Sequence, residues 1–216
     1  MVAVLMLAAG HPALHAQYYE ITNQLTNLIS PALSGSFNYK GFVEASGLAG
    51  VGHNRANFIG ISTTQGFRYA SWFYMGAGIG VDVVMAQQND EISSRPDNPF
   101  YEYPTTKTKA MIPVFSDFRF NIGDPAKTSF FIDIKLGAAW MLGSSDLRMN
   151  DACMDNSTQF YMRPSLGVRI PVNSSNSSQA FNIGLTYQLL TTDYNYDWYD
   201  NDVTLNNFGV TLAYEW

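Results

Sequence analysis

Asn207-Phe208-Gly209-Val210-Thr211-Leu212-Ala213-Tyr214-Glu215-Trp216 is the stretch that decides the fold. Successive side chains of a β-strand point to opposite faces of the sheet, so residues two apart share a face. One face of this stretch is wholly apolar and consists of Phe208, Val210, Leu212, Tyr214 and Trp216. The other face carries small or polar side chains. The pattern predicts a strand whose apolar face meets either a protein core or lipid.

Seven further segments repeat this two-face pattern, most clearly where apolar residues alternate with glycines between Phe73 and Met85. The eight predicted strands cover residues 39–51, 58–69, 73–85, 112–122, 130–142, 160–170, 181–189 and 207–216. Eight strands of about ten residues with this alternation are typical of an antiparallel barrel or sandwich.

Length and composition restrict the class of protein. The 216 residues suffice for one large β domain, and only 14% of them are charged, against about 25% in soluble domains. No apolar run reaches the length of a transmembrane helix. The net charge of −6 argues against binding to nucleic acid. A single cysteine, Cys153, excludes an internal disulfide framework.

Residues 1–16 are predicted to be a secretory signal, because Gly10 and Pro12 end a short apolar run and Ala16 offers a small residue for cleavage. No Lys or Arg precedes the apolar run, which departs from the usual signal, and a buried N-terminal strand or helix is the alternative.

Residues 17–36 are predicted to be a periplasmic segment that precedes a barrel domain at 37–216. Ile21, Leu25, Leu28 and Ile29 recur there at helical spacing, which favours a short amphipathic helix before Pro31. A poorly ordered leader is the other interpretation of this segment.

The polar faces of the predicted strands decide between a soluble and a membrane barrel. They are mostly Gly, Ser, Thr and Asn, with five acids and five bases. These charges are Glu44, Asp82, Asp117, Asp133 and Glu215, and Arg68, Arg119, Lys135, Arg163 and Arg169. A narrow closed lumen needs such a balance, because an unpaired buried ion costs several kcal/mol. We therefore expect a charge network inside a barrel with an apolar outer wall, and a soluble sandwich is the alternative.

The connections between the strands agree with a membrane barrel. Short connections are predicted at 70–71, 123–127 and 173–178, and long ones at 87–108, 144–158 and 191–205, with a short first loop at 52–57. Short periplasmic turns and long extracellular loops are typical of outer-membrane barrels. The aromatic residues near strand ends are predicted to form two interfacial girdles. They are Tyr39, Tyr69, Trp72, Phe73, Trp140, Phe160, Tyr214 and Trp216.

Five segments carry a resemblance to a known family: YKGFVE at 39–44, GAGIGV at 76–81, IPVFSDFR at 112–119, PSLGVR at 164–169 and the final strand. In this order they resemble the outer-membrane protein β-barrel domain family common in the Bacteroidota, which is similar in architecture to the OmpA and OmpX barrels. The resemblance covers about residues 39–216. It implies an all-β fold, an eight-stranded antiparallel up-and-down transmembrane barrel, in the outer membrane of a Gram-negative bacterium.

The resemblance also implies a role for the last strand. In the family, an aromatic final residue and apolar residues at every second position before it form the signal read by the barrel-assembly machinery. Phe208, Val210, Leu212, Tyr214 and Trp216 match that signal. The family is defined by its fold, so the resemblance implies location far more than activity.

One loop stands out as a candidate binding site. Its acidic and aromatic residues are Asp193, Tyr194, Tyr196, Asp197, Trp198, Tyr199, Asp200 and Asp202. Carboxylates of this density are able to bind Ca²⁺, and exposed Tyr and Trp make good anchors for a protein or a glycan. An acidic loop that is simply kept soluble is the plainer interpretation. The spacing of an EF-hand is absent, so we predict no metal and no cofactor.

An enzyme of lipopolysaccharide modification would need an activated serine, generally with a histidine as its base. His53 lies in the first loop without a positioned nucleophile in the sequence, so we expect no catalytic residues. The interior of an eight-stranded barrel is only wide enough for side chains to fill. We therefore expect a monomeric, non-enzymatic scaffold or surface-interaction protein. Its outer wall is expected to contact outer-membrane lipid or lipopolysaccharide, and its long loops to meet an extracellular protein or glycan. A narrow channel and a lipopolysaccharide-modifying enzyme are the alternatives.

Overall fold

The computed structural model describes residues 38–88, 105–150, 153–173, 176–192, 195–196, 199–200 and 203–216. The predicted signal at 1–16 and the predicted helical segment at 17–36 lie outside the described residues. So do residues 89–104 of one long loop and residues 193–194, 197–198 and 201–202 of another. Among the described residues, no helix is long and apolar enough to cross a membrane.

Eight long strands form a closed antiparallel barrel, which confirms the predicted fold class. Each strand pairs with the next one along the chain, and the last pairs back onto the first. Numbered in chain order, they are β1 (Asn38–Val51), β2 (Arg55–Ala70), β3 (Phe73–Gln87), β4 (Thr108–Ile122), β5 (Ser129–Met141), β6 (Gln159–Asn173), β7 (Asn176–Thr192) and β8 (Val203–Glu215). Closure leaves no strand edge unpaired, which satisfies the backbone groups within the sheet.

Alternate residues face outward and inward along every strand, as the pleat requires. The outer wall carries large apolar side chains with about half of their surface exposed, such as Ile61 at 66% and Phe130 at 62%. Aromatic rings stack on this wall near the strand ends, for example Trp72 on Phe120 and Tyr214 on Trp216. Among the described residues of the eight strands, the inner face buries most of the charged side chains. This distribution is the reverse of a water-soluble barrel.

The two ends of the barrel differ. At the short-turn end, residues 71–72, 123–128 and 174–175 connect the strands. At the long-loop end, residues 52–54 form a short turn, whereas 88–107, 142–158 and 193–202 are longer. The connection expected at 173–178 is shorter than predicted, because β6 ends at Asn173 and β7 begins at Asn176.

Several strands extend beyond their predicted limits at the long-loop end. β7 reaches Thr192 and β8 begins at Val203, where the sequence predicted strands at 181–189 and 207–216. Thr191 pairs with Thr204 in this extension, so the backbone ladder continues although outward residues become polar. The alternation of apolar residues ends where the outer wall becomes polar, whereas the backbone hydrogen bonds between the strands continue beyond that point.

Part of the long loops is also ordered into sheet. Thr105–Thr106, Asp146–Arg148 and Cys153–Met154 form a three-stranded sheet, and Asn195–Tyr196 pairs with Tyr199–Asp200 in a small hairpin. The connection expected at 144–158 is therefore structured, because Leu147 and Met154 belong to the buried apolar cluster of the barrel.

Gly137 on β5 lies where two strands approach too closely for a side chain. A Cβ atom there would lie 2.0 Å from the carbonyl oxygen of Val114, whereas a Cβ atom at Gly47 would have no heavy atom within 4 Å. We predict that Gly137→Ala lowers the free energy of unfolding by about 1–3 kcal/mol through overpacking. Gly47→Ala is the matched control and should leave it nearly unchanged. Urea titration of the purified barrel in detergent measures both, and equal midpoints would contradict this account.

Candidate functional site

The interior of the barrel is the most distinctive part of the described structure. It is filled by side chains in three layers: a charged layer at the short-turn end, a charged layer in the middle, and an apolar layer at the long-loop end. All ten charged residues that the sequence places inside the barrel lie there, with Arg68 the most exposed at 11% of its side chain. Eight of them take part in two separate groups of ion pairs, and Asp82 and Asp117 take part in neither.

The layer at the short-turn end is centred on Glu215 of β8. Arg169 of β6 donates from Nε to Glu215 Oε2 at 2.7 Å, and Arg68 of β2 donates to Glu215 Oε1. Lys40 of β1 lies with its Nζ 3.3 Å from the same oxygen and donates to the carbonyl oxygen of Ser178. One buried carboxylate therefore holds three cations from three different strands.

The middle layer is centred on two acids, Glu44 of β1 and Asp133 of β5. Lys135 bridges them, with Nζ 3.1 Å from Glu44 Oε2 and in contact with Asp133 Oδ2. Arg119 Nη2 lies 3.2 Å from Asp133 Oδ2, and Arg163 Nη2 lies 3.8 Å from Glu44 Oε1. The two contacts of Glu44 cross the lumen, because they link β1 to β5 and β6, whereas Asp133 is paired within its own strand and with the adjacent β4.

Aromatic rings complete the surroundings of the middle layer. The Arg119 guanidinium lies 4.1 Å from the ring centroid of Phe42 and 4.7 Å from that of Phe131, within the range of a cation–π interaction. Arg163 Nη1 donates to the Tyr161 hydroxyl at 3.2 Å. The cations are thus held by rings as well as by carboxylates.

Asp82 and Asp117 are buried in the same interior but join neither centre. Neither has an ion pair within 4 Å to a described residue, and both carboxylate oxygens of Asp117 lack a hydrogen-bond partner in the described part of the chain. The interior is therefore a polar core with two fixed ionic centres, beside which these two carboxylates are buried.

Two further cations correct the expected balance of five acids and five bases. Lys40 and Lys109 are also buried on the inner face, with 5% and 4% exposure. Lys109 needs no carboxylate, because its Nζ donates to the Ser145 carbonyl oxygen and to Asn156 Oδ1. Lys109 precedes the predicted strand at 112–122, so alternation assigned it no face, and neutral oxygens of the loop satisfy it.

The apolar layer at the long-loop end was not predicted, since the sequence indicated mainly small, polar and charged residues inside the barrel. Its members come from the inner faces of the strands and from the connection at 142–158. They are Leu48, Ala56, Phe58, Val84, Met111, Phe115, Ala139, Met141, Leu147, Met149, Met154, Tyr161, Leu190, Val203 and Leu205. Met111 is paired across the sheet with Met141. The layer closes the lumen toward the long loops.

Sequence reasoning missed this layer for two reasons. Five of its twelve strand residues lie beyond the predicted strand limits, where alternation assigned no face: Ala56, Met111, Leu190, Val203 and Leu205. Leu147, Met149 and Met154 come from a segment without a regular period. The only available signal was the presence of three buried-type side chains in a loop that is otherwise polar.

The remaining predicted residues divide into exposed and undescribed groups. Phe208, Val210 and Leu212 of the expected assembly signal face outward and are about half exposed, and Tyr214 and Trp216 lie on the same face. His53 is exposed in the turn between β1 and β2. Most of the acidic aromatic loop lies outside the described residues: Asp193, Tyr194, Asp197, Trp198 and Asp202, with the side chains of Tyr196, Tyr199 and Asp200.

Cys153 lies in the small three-stranded sheet, opposite Arg148. Burial raises the pKa of its thiol, and the nearby Asp146 carboxylate raises that pKa further.

In the described ranges, no group of three or more His, Cys, Asp or Glu side chains is arranged to hold a metal ion.

Comparison with known proteins identifies the architecture. No protein-family model matches the chain, and no curated protein does. The crystal structure of Neisserial surface protein A (NspA) aligns with a TM-score of 0.53 and 8% identity, over 84% of this chain and 98% of that chain. The fold is that of a small outer-membrane barrel. At such low identity the likeness concerns the fold alone.

Two other solved structures align less well. The outer membrane enzyme PagL gives a TM-score of 0.47 with 15% identity, over 80% of this chain and 97% of that chain. The N-terminal β-barrel domain of Pseudomonas aeruginosa OprF gives 0.42 with 9% identity, over 84% and 100%.

Glu215 offers a direct test of the ionic centre at the short-turn end. We predict that Glu215→Gln lowers the free energy of unfolding by about 3–5 kcal/mol, because it leaves three buried cations without their carboxylate. Asp124→Asn is the matched control, because Asp124 pairs with the exposed Lys127 at 3.7 Å and both side chains are at least 51% exposed. The hydrogen bond that Asp124 Oδ1 accepts from the Ala126 N–H can be kept by the asparagine oxygen. That change should stay within about 0.5 kcal/mol. Urea unfolding followed by tryptophan fluorescence measures both variants. Equal free energies of unfolding for the two would contradict the prediction.

Proposed function

We propose that this chain is an integral protein of the Gram-negative outer membrane, of the type common in the Bacteroidota, and that it acts without catalysis. In this proposal the barrel is an anchor, and the long-loop end is a platform for an extracellular protein or glycan. The observation that carries it is the combination of an apolar, half-exposed outer wall with a filled and closed interior.

The outer wall supports the membrane location. Monomeric soluble proteins rarely expose contiguous apolar patches larger than a few hundred Å². Here every strand contributes exposed apolar residues, among them Ile59, Val81, Phe130, Leu166 and Leu185, each at 50% or more. A closed barrel is one of two architectures that satisfy the backbone within lipid. By the usual arrangement of such barrels, the long-loop end faces the exterior.

The filled interior favours an anchor over the narrow channel. Two ionic centres cross the lumen, and the apolar layer closes it toward the long loops, so a solute would have to displace both. Planar bilayer recordings decide between the two: an anchor gives no single-channel steps. Steps whose size changes with Arg163→Gln would establish conduction through the lumen and overturn this part of the proposal.

The alternative of a lipopolysaccharide-modifying enzyme has weaker support. Nucleophilic catalysis requires a histidine or similar base held against the hydroxyl that it activates. His53 is the one histidine among the described residues, and it is exposed in a turn. Lipid A composition after overexpression, compared between the wild type and His53→Ala, distinguishes an enzyme from the anchor that we propose.

Cys153 tests the location and the orientation together. A membrane-impermeant maleimide should label Cys153 in intact cells, because the small sheet belongs to the long-loop end. The raised thiol pKa leaves little thiolate at neutral pH, so labelling should be slow at pH 7 and faster as pH rises toward 9. Asp146→Asn should accelerate it, since removing that carboxylate lowers the thiol pKa. Labelling only after the cells are lysed would contradict the orientation.

The acidic aromatic loop at 193–202 tests the proposed role. We expect proteins or glycans captured from the exterior of intact cells to be lost when Tyr194, Tyr196, Trp198 and Tyr199 are changed to Ser. The matched control changes Asp193, Asp197, Asp200 and Asp202 to Asn, which removes charge and keeps the aromatic anchors. Capture that is identical in both variants and in the wild type would exclude this loop as the interaction site.

A further inference from the structure

An apolar groove runs along the outward face of β1. Ala45, Gly47 and Ala49 occupy three successive outward positions there, between the larger outward residues Val43 and Val51. The two neighbouring strands carry large side chains at the same level. The resulting cavity has a volume of about 600 Å³.

The pairing register defines the floor and the walls of the groove. Gly47 lies between Ile59 of β2 and Val210 of β8, and the next row places Ala45 between Ile61 and Leu212. The wall residues are 52–66% exposed. A Cβ atom built at Gly47 would meet no heavy atom within 4 Å, so the floor is empty rather than filled by a neighbour.

The width of the groove decides what can occupy it. Adjacent strands lie about 4.8 Å apart, so the backbones of β2 and β8 are separated by about 10 Å across the small residues of β1. Their side chains narrow this further. An α-helix has a diameter of about 10–12 Å and does not enter such a slot, and the broad wall of a second barrel would rest on its rims. A single extended hydrocarbon chain fits.

Above the groove, the outward positions of the two neighbouring strands become polar, whereas β1 carries Val51. Arg55 lies four residues from Ile59 on the same face of β2, a distance of about 13 Å along the strand. Asn57 lies between them, and its Oδ1 accepts hydrogen bonds from Gln87 Nε2 and from the backbone N–H of Gly50, both at 3.0 Å. Arg55 Nε has no hydrogen-bond partner among the described residues. A guanidinium beside a fixed polar edge suits a phosphate.

We propose that this groove binds one acyl chain of lipopolysaccharide, with Arg55 contacting a phosphate of its lipid A moiety. The proposal rests on the proposed function, because the outer leaflet of the outer membrane brings that lipid to the long-loop end of the barrel. The site offers a complement to each of two chemical features of lipid A, a groove for an extended acyl chain and a cation for its anionic head.

Native mass spectrometry of the purified barrel with added lipid A tests the site. The wild type should retain one lipid A molecule. Gly47→Leu fills the floor without a backbone clash, and Arg55→Gln removes the cation. Each should lower the retained fraction about tenfold, as expected for the loss of one charge-assisted contact or of equivalent burial. Ala77→Leu is the matched control, because Ala77 faces outward on β3 away from the groove, and it should behave as the wild type.

Three results would overturn the proposal. The first is equal retention of lipid A by the wild type, Gly47→Leu and Arg55→Gln. The second is equal retention of phosphatidylglycerol, which would make the site one for anionic lipid in general. The third is a wild-type dimer that Gly47→Leu dissociates, which would make the groove a contact between two copies. Maleimide labelling of Cys153 in the same variants reports location separately, so failure of lipid binding is distinguishable from failure of the proposed function.

Discussion

The pairing of β1 with β8 is the contact on which the rest of the structure depends. It joins the first and last strands of the barrel, and reciprocal backbone hydrogen bonds between Gly41 and Trp216 carry it to the final residue, at 3.1 and 3.2 Å. Without it, two strand edges would leave rows of N–H and C=O groups unpaired, and in lipid each such group costs several kcal/mol. The barrel can therefore present an apolar outer wall to lipid only because it is closed.

Closure also creates the interior and sets its size. Eight strands enclose a space that side chains must fill, so every inward charge loses its water and needs a partner. Glu215 meets this need for three cations, and Glu44 and Asp133 share Lys135 between them. Each centre joins residues from strands far apart in sequence, so the network ties the wall together across the lumen. Where the charges end, methionine and leucine side chains fill the same space.

The size of the side chains varies around the outer wall. Most outward positions carry large side chains, but β1 interrupts the wall with small ones and leaves a groove one strand wide. The groove and the platform of long loops lie at the same end of the molecule. In our proposals, lipid holds the barrel at that end while the loops meet partners beyond it.

The sequence by itself determined the number of strands, their order and the face to which each side chain points. These follow from the two-residue period of the strand, which is a local property of the covalent chain. The parity of the alternation therefore put the ten charges on one face without any knowledge of the fold. The alternation did not predict that the strands continue past the apolar wall, because outward residues there, such as Thr191 and Thr204, are polar.

Only the tertiary structure decided which inward residues meet. The contacts of Glu215 with Lys40, Arg68 and Arg169 depend on the stagger between strands and on the closure of the ring, and neither is encoded in the spacing along one strand. The apolar layer depends on the same geometry, because Leu147 and its neighbours belong to a loop that folds back into the barrel mouth. The face to which a side chain points follows from local chain geometry. The residues that it contacts inside the barrel are set by how the strands close into a ring.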